Sequence, residues 1–289
     1  MTSRIQYNNP QQAEALGLPY HYEMVSDAKR VTPFKKAIQK VCKGKRVLES
    51  GAGSGILSIL AAKAGAKKVY AVEIDPKVAR FAEANIRKSG FQDRIKLIRK
   101  DIFKTTLEDL DDEKVDVVIA ENLSTWQVTE PQIPILNYIN KNLIKQDGAR
   151  IPALIFNYVE LAQSQYQFEN AVEIRTHYFG FTGVKKPRIL SKRQLFTTID
   201  LRQQNSLRIN RSIKIKIARE GTLNSLRLTS PLQVYDGINF ESSDSLMPPV
   251  IIPLNKDVHV IKGDMIQLDI RYSYHTNWDA IRCRAKLIN

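Results

Sequence analysis

The sequence predicts an α/β domain with a Rossmann-like parallel sheet, followed by an all-β barrel domain. Residues 46–75 read as a strand, a glycine turn, a helix and a second strand. Apolar strands then alternate with helical patterns as far as Ile151-Pro152, and beyond that point period-two alternation takes over. The expected divisions are a polar segment over residues 1–19, the α/β domain over 20–150 and the barrel over 151–289. With 289 residues, 43% of them hydrophobic, the chain can fill two ordinary cores.

The elements follow in order. Residues 1–17 are polar and carry a Tyr-Asn-Asn-Pro turn signal. From Leu18 the pattern turns helical: Asp27 and Arg30 are three apart, so on a helix they share one face, with Met24 a further turn back. Val31, Phe34, Ala37, Ile38 and Val41 repeat at the spacing of a core-facing helix. After the glycine unit, Pro76 suits a helix start and Gly90 its stop. Residues 94–98 alternate as a third strand, ending at Lys100-Asp101-Ile102-Phe103. Residues 115–120 are nearly all apolar, a strand buried on both faces, and they end in Glu121-Asn122. A ten-residue stretch leads from Glu121 to Glu130; Ile135, Leu136, Ile139 and Leu143 then form a helical stripe, and Asp147-Gly148 is expected to turn the chain. In the second half, alternation marks strands over residues 156–161, 196–201, 213–217, 258–261 and 265–272, with Lys262-Gly263-Asp264 as a turn.

The glycine turn carries the first chemistry. Gly51, Gly53 and Gly55 let the backbone turn tightly and approach a ligand, and the helix after Gly55 offers free N–H groups. Glu73 lies about 20 residues on, where a ribose hydroxyl is bound in such units. A dinucleotide site wants G-x-G-x-x-G, so that a pyrophosphate rests on the helix start. Here the turn is preceded by Glu49, which repels a pyrophosphate and suits an ammonium group. S-adenosylmethionine offers an ammonium, a sulfonium, a ribose and an adenine, so the turn reads as a methyl-donor site. Asp101, just beyond the third strand, is positioned to accept from the adenine amino group.

Glu121 and Glu130 are the acceptor-side candidates, since ligand chemistry in open α/β sheets sits beyond strand carboxyl ends. A guanidinium is planar, stays charged, and carries five donors in a fork. Two carboxylates can fix that plane and offset the repulsion between it and a cationic sulfonium.

An α/β domain of this kind followed by a β-barrel resembles the protein arginine methyltransferases. His21-Tyr-Glu-Met24-Val-Ser-Asp27-Ala-Lys-Arg30 is similar to the family's H-x-x-M-x-x-D-x-x-R segment, which implies that Arg30 grips the donor carboxylate and that Met24 lines the same site. Val47 to Asp75 resembles the donor-binding block, and Ile102, next to Asp101, is expected among the cofactor-binding residues. Glu121 and Glu130 match the spacing of the family's two-glutamate loop and imply a catalytic role for both. Thr229-Ser-Pro and the Lys262-Gly-Asp turn have counterparts as well. The chain departs from the family in three places. The loop reads Glu121-Asn-Leu-Ser-Thr-Trp-Gln-Val-Thr-Glu130 rather than E-x-M-G-Y at its start, and Ser245-Leu246-Met247 stands where Thr-His-Trp is expected. His275-Thr-Asn-Trp278 comes after the Lys262-Gly-Asp turn, which makes His275 a barrel-rim residue. The resemblance implies a homodimer joined by a helical arm, and the segment after Tyr178-Phe-Gly-Phe181 is short for that arm.

Composition bounds the rest. No apolar run reaches the roughly 20 residues of a membrane span, and the N-terminus has no secretory pattern. Cys42 and Cys283 lie at opposite ends of the chain, which argues against a disulfide framework or a cysteine metal cluster and for a cytoplasmic, reducing setting. Net charge is +14, and between Lys185 and Arg219 eleven basic residues face a single acid, Asp200. That segment is expected to attract an acidic partner or nucleic acid. The leading expectation is transfer of a methyl group from S-adenosylmethionine to an arginine guanidino nitrogen in a protein or peptide. The alternative is an RNA, DNA or small-molecule methyltransferase that holds an acidic substrate on the basic barrel.

Overall fold

The computed structural model of the chain describes residues 18–288, so nearly all of the polar N-terminal segment lies outside the described residues. Two compact units are present. One comprises the chain up to Ala120 together with Asn142–Ile151, and the other Glu121–Lys141 together with the chain from Pro152.

Among the described residues, the first elements of the first unit are helices α1 (Leu18–Ser26) and α2 (Ala28–Val41). The sequence suggests one helical face across this region; the structure breaks it at Asp27. That residue takes an extended conformation, and its carboxylate accepts from the backbone N–H groups of Lys29 and Arg30. A short side chain able to satisfy free helix-start N–H groups stabilises a new helix more than it does the interior of an old one. Arg30, Phe34, Ala37 and Ile38 form the buried stripe of α2. Next come β1 (Arg46–Ser50), α3 (Ile56–Lys63), β2 (Lys68–Val72), α4 (Pro76–Ser89), β3 (Ile95–Ile98), β4 (Val115–Ala120), α5 (Gln132–Asn142) and β5 (Ile144–Ile151).

The five strands pair in parallel in the order β3-β2-β1-β4-β5, with the topological switch between β1 and β4. Their interior is Val47, Leu48, Val69, Tyr70, Ala71, Val117, Val118 and Ile119, each at most 1% exposed. Burial on both faces is why these strands read as continuous apolar runs. Asp147-Gly148, expected as a turn, lies inside β5 at a register shift opposite β4. A Cβ on Gly148 would come within 2.9 Å of the Asp116 carbonyl oxygen, so glycine serves close strand approach there. Most of α5 belongs to the second unit because its polar residues bind that unit's loops. Asn137 Nδ2 donates to Asn205 O at 2.8 Å and Asn140 Nδ2 to Leu201 O at 2.9 Å.

From Pro152 onward the second unit is a half-barrel of β-strands. Its strands are β6 (Leu154–Gln163), β7 (Gln167–Phe168), β8 (Val172–Glu173), β9 (Tyr178–Phe179), β10 (Arg188–Ile189), β11 (Gln194–Asp200), β12 (Arg208–Lys216), β13 (Gly221–Thr229), β14 (Leu232–Tyr235), β15 (Ile238–Phe240), β16 (Val250–Val260), β17 (Met265–Ser273) and β18 (Arg282–Ile288). An eight-stranded antiparallel sheet centres on β6 and β13, and a separate sheet runs β12-β17-β18. Alternation in the sequence finds only the end of β16, because Pro253 interrupts the pattern. The strand carries this proline at a register irregularity against β13, where a missing N–H is tolerated. Between β9 and β10, where the resemblance implies a helical arm, the described chain has no helix.

Candidate functional site

Three glycines shape the turn after β1. Gly51, Gly53 and Gly55 all have positive φ, and a Cβ on Gly53 would lie 2.9 Å from His21 Cε1 on α1. The turn is therefore glycine-dependent twice over, by backbone angle and by the imidazole packed against it. The backbone N–H of Gly53 donates to Glu73 Oε2 at 2.8 Å, and Asp75 N–H donates to Oε1 at 2.9 Å. This pins the acid after β2 to the glycine turn. Asp75 caps α4 through Lys77 and Val78, which fixes the chain direction beyond it.

Two further charged groups sit beneath this turn. Glu49 is 2% exposed and accepts a hydrogen bond from Ser58 Oγ on α3. Burial pushes its carboxyl up to about 8; the Ser58 bond and the nearby Arg30 charge pull it down, and Glu73 pushes it up. Arg30 is 5% exposed, and its Nη1 donates to the Met24 carbonyl oxygen at 3.1 Å. Burial lowers its pKa to about 10, with Tyr20, Glu49 and Asp27 acting in the opposite direction. The guanidinium thus stays charged at neutral pH. Burial also lowers the His21 pKa, against the pull of Glu73.

Met24, Arg30, Glu49, Gly51, Gly53, Gly55 and Glu73 therefore form one connected cluster, although Met24 and Arg30 belong to different helices. Asp101 is engaged locally: its Oδ1 accepts from Phe103 N–H at 3.0 Å and caps the short turn that begins at Ile102, which is 7% exposed. His21 and Ser58 complete the cluster. The sequence signal for the first is the His-x-x-Met segment, and for the second, more weakly, a serine among the apolar residues that follow Gly55.

The cluster fits S-adenosylmethionine by its chemistry. A backbone cradle without Cβ atoms adjoins buried carboxylates, which suit an ammonium and a ribose, and a buried guanidinium, which suits a carboxylate.

The two-glutamate loop begins directly after β4 and belongs to the second unit. Ser124 organises it, its Oγ accepting from the N–H groups of Thr129 and Glu130, both at 3.1 Å. Trp126 and Gln127 hold positive φ, an unfavourable state for non-glycine residues that is kept only where surrounding contacts over-determine it. Those contacts are plain. Trp126, fully buried, stacks on Phe196 at 4.8 Å between ring centroids; its N–H donates to Ser230 Oγ at 2.7 Å and its indole N–H to Tyr158 O at 3.1 Å. Ser230 Oγ in turn donates to Asn157 Oδ1, and Asn157 Nδ2 to Gln127 Oε1. Thr125 Oγ1 donates to Pro248 O, just past the Ser245-Leu246-Met247 loop. His275 N–H donates to Gln127 O and Thr276 N–H to Val128 O, while His275 Nδ1 lies 3.3 Å from Thr129 O. The backbone at His275 and Thr276 thus clamps the glutamate loop.

Glu121 and Glu130 are both partly covered by the fold. Burial raises the Glu130 carboxyl to about 7, so a cation placed against it would draw it toward the ionised form. Among the described residues, no group of three His, Cys, Asp or Glu side chains is arranged to hold a metal, and no helix is long and apolar enough to cross a membrane.

Residues 35–149 match the ribosomal protein L11 methyltransferase (PrmA) family. The chain is 30% identical over 262 residues to an uncharacterized protein of Methanocaldococcus jannaschii, covering 90% of this chain and 93% of that one. It is 25% identical over 279 residues to an arginine N(omega)-methyltransferase of Streptomyces achromogenes subsp. streptozoticus, covering 89% and 77% respectively. Among solved structures, it is similar to the Trypanosoma brucei PRMT1 enzyme-prozyme heterotetrameric complex with AdoHcy. There the TM-score is 0.77 at 18% identity, over 94% of this chain and 98% of that one.

Proposed function

We propose that this chain, which belongs to one family with the Methanocaldococcus jannaschii protein and is an S-adenosylmethionine-dependent methyltransferase of the protein arginine methyltransferase-like kind, methylates a guanidino nitrogen of arginine in a protein or peptide. The observation that carries the acceptor reading is the pair Glu121 and Glu130, on a loop that the barrel holds in a strained conformation. Such strain is maintained at the expense of stability, which suits a loop that must keep two carboxylates in fixed places.

The donor supplies a methyl group on a cationic sulfur. Arg30 would hold its carboxylate, Glu49 its ammonium and Glu73 its ribose hydroxyls, with Met24, Ile102 and Asp101 toward the remainder and the adenine. Glu121 and Glu130 would fix the guanidinium plane by bidentate hydrogen bonds and offset its repulsion from the sulfonium. Positioning accounts for most of the rate on this reading, because a guanidino nitrogen aligned with the methyl needs no strong base beforehand. The carboxylates must be ionised to do this, and the raised pKa of Glu130 makes that a pH-dependent condition.

Glu121→Gln and Glu130→Gln should each lower kcat/KM for an arginine peptide by roughly 100-fold or more, with donor binding retained. The wild-type kcat/KM should rise with pH through about 7 and lose that limb in Glu130→Gln. Undiminished methyl transfer in either variant removes the arginine reading.

One observation favours a second acceptor, arginine as a free amino acid. The Streptomyces relative, whose name carries arginine without protein, matches across both halves of the chain. Assaying free arginine and an arginine peptide side by side with labelled donor separates the two.

A further inference from the structure

The basic run between Lys185 and Arg219 does not form one patch. Arg193 lies 4.1 Å above the Tyr158 ring and pairs with Glu241, Arg202 pairs with Asp200 at 2.8 Å, and Arg211 points toward Phe196. What the fold assembles instead is a face that the sequence order hides. Antiparallel register sets Arg208, Lys214 and Lys216 of β12 on the same side as Arg271 of β17 and Arg282, Arg284 and Lys286 of β18. All seven are exposed. The sole acid among them is Asp269, and among the described residues no carboxylate lies within ion-pair distance of any of the seven. Arg271 and Arg282 stand directly opposite one another, an arrangement that destabilises a sheet unless an anion relieves it.

At one end of this face, Arg271, Arg282 and Arg284 enter the lining of a cavity of about 560 Å³ that also holds His177 and Trp278, with Asp269 and Asp279 as its acids. Aromatic rings continue away from it. His177 and Phe179 lie 6.1 and 6.3 Å from Trp278, and Phe181 stacks on Phe179 at 5.6 Å, with Phe179 and Phe181 more than a third exposed.

We propose that the β12-β17-β18 face and its aromatic-lined cavity bind single-stranded nucleic acid, the cations taking phosphates and the rings taking unstacked bases. Alternate residues of a strand lie about 7 Å apart and neighbouring strands about 5 Å apart, so these cations form a two-dimensional grid rather than a line. A flexible polyanion can follow such a grid. The adjoining rings decide between partners: an acidic protein needs only the charge, whereas exposed aromatics beside guanidinium groups are what bases stack on. The cavity is also within the size range of small-ligand sites, enough for a nucleotide. None of these residues belongs to the donor cluster or the glutamate loop, so the surface is distinct from the methyl-transfer machinery.

The test is fluorescence anisotropy with labelled oligouridine of about 20 nucleotides, beside a duplex and a polyglutamate peptide of similar charge. Oligouridine should bind, and the slope of log K against log salt should flatten by about 2 in an Arg271→Ala, Arg284→Ala, Lys286→Ala variant, with affinity down at least about tenfold. Donor affinity should be unchanged in that variant, which confirms its fold. Phe179→Ala with Phe181→Ala should weaken oligouridine binding while leaving the salt slope intact. Absence of binding at low salt, equal affinity for the duplex or the polyglutamate peptide, or indifference to both sets of substitutions would each overturn the proposal.

Discussion

Glu49 shows what a single buried residue can decide. It is almost wholly covered, hydrogen-bonded to Ser58, and its carboxyl is raised to about 8 by burial. In the donor-free protein it is therefore largely protonated at neutral pH. A donor ammonium against it favours the carboxylate, so binding should release a proton, and donor affinity should rise with pH until it levels above about 8. Calorimetry in buffers of different ionisation enthalpy measures that release; a pH-independent affinity would place the ammonium elsewhere. Stability follows the opposite course. Because the folded pKa exceeds the unfolded one, the donor-free protein binds more protons than its unfolded chain between about 4.5 and 8, and it should lose stability as pH rises across that interval. The sequence identified Glu49 as an acid before a glycine turn. Its protonation state follows from the absence of water around it, which no residue order encodes.

At the scale of elements, the glycine turn and the glutamate loop are built on opposite principles. The turn takes positive φ with glycines, at no steric cost, and was legible for that reason. Gly53→Ala should introduce about 1–2 kcal/mol of backbone strain and a clash with His21, reducing both thermal stability and donor affinity. Combining it with His21→Ala should restore the part owed to the clash and leave the part owed to φ. A double variant no better than the single would show that the imidazole does not brace the turn. In the loop, Trp126 and Gln127 adopt positive φ without glycine, because Ser230, Tyr158, Phe196 and the 275–276 backbone hold them. Those partners are far away in sequence, so the loop's departure from the expected E-x-M-G-Y could be seen but its consequence could not. The break at Asp27 is an intermediate case: its capping potential was readable, yet it competed with a continuous helical stripe and prevailed through two hydrogen bonds to the next turn.

For the whole molecule, a net charge of +14 bears on an enzyme proposed to act on cationic acceptors. Long-range repulsion should slow encounter with an arginine-rich peptide far more than with free arginine. Raising salt from about 50 to 200 mM should therefore increase kcat/KM for the peptide and leave that for free arginine nearly flat. Steady-state assays across that range check it, and a fall for the peptide would mean that local acids outweigh the overall field.

Residue order alone was enough for the Rossmann-like unit and the change to antiparallel β structure after Ile151, and it singled out Gly51, Gly53, Gly55, Glu49 and Glu73 as the site proposed here for the donor. These features rest on local rules: hydrophobic period, glycine at positive φ, and acids a fixed distance along one βαβ unit. Tertiary structure alone decided which charges are neighbours, which acids are dry, and what holds the glutamate loop. Within the run between Lys185 and Arg219, Arg193 and Arg202 are ion-paired, while Arg208, Lys214 and Lys216 share a continuous face with cations of β17 and β18 up to about 70 residues further along the chain. Register and burial act through space, and spatial neighbours on a sheet are fixed by pairing rather than by position along the chain.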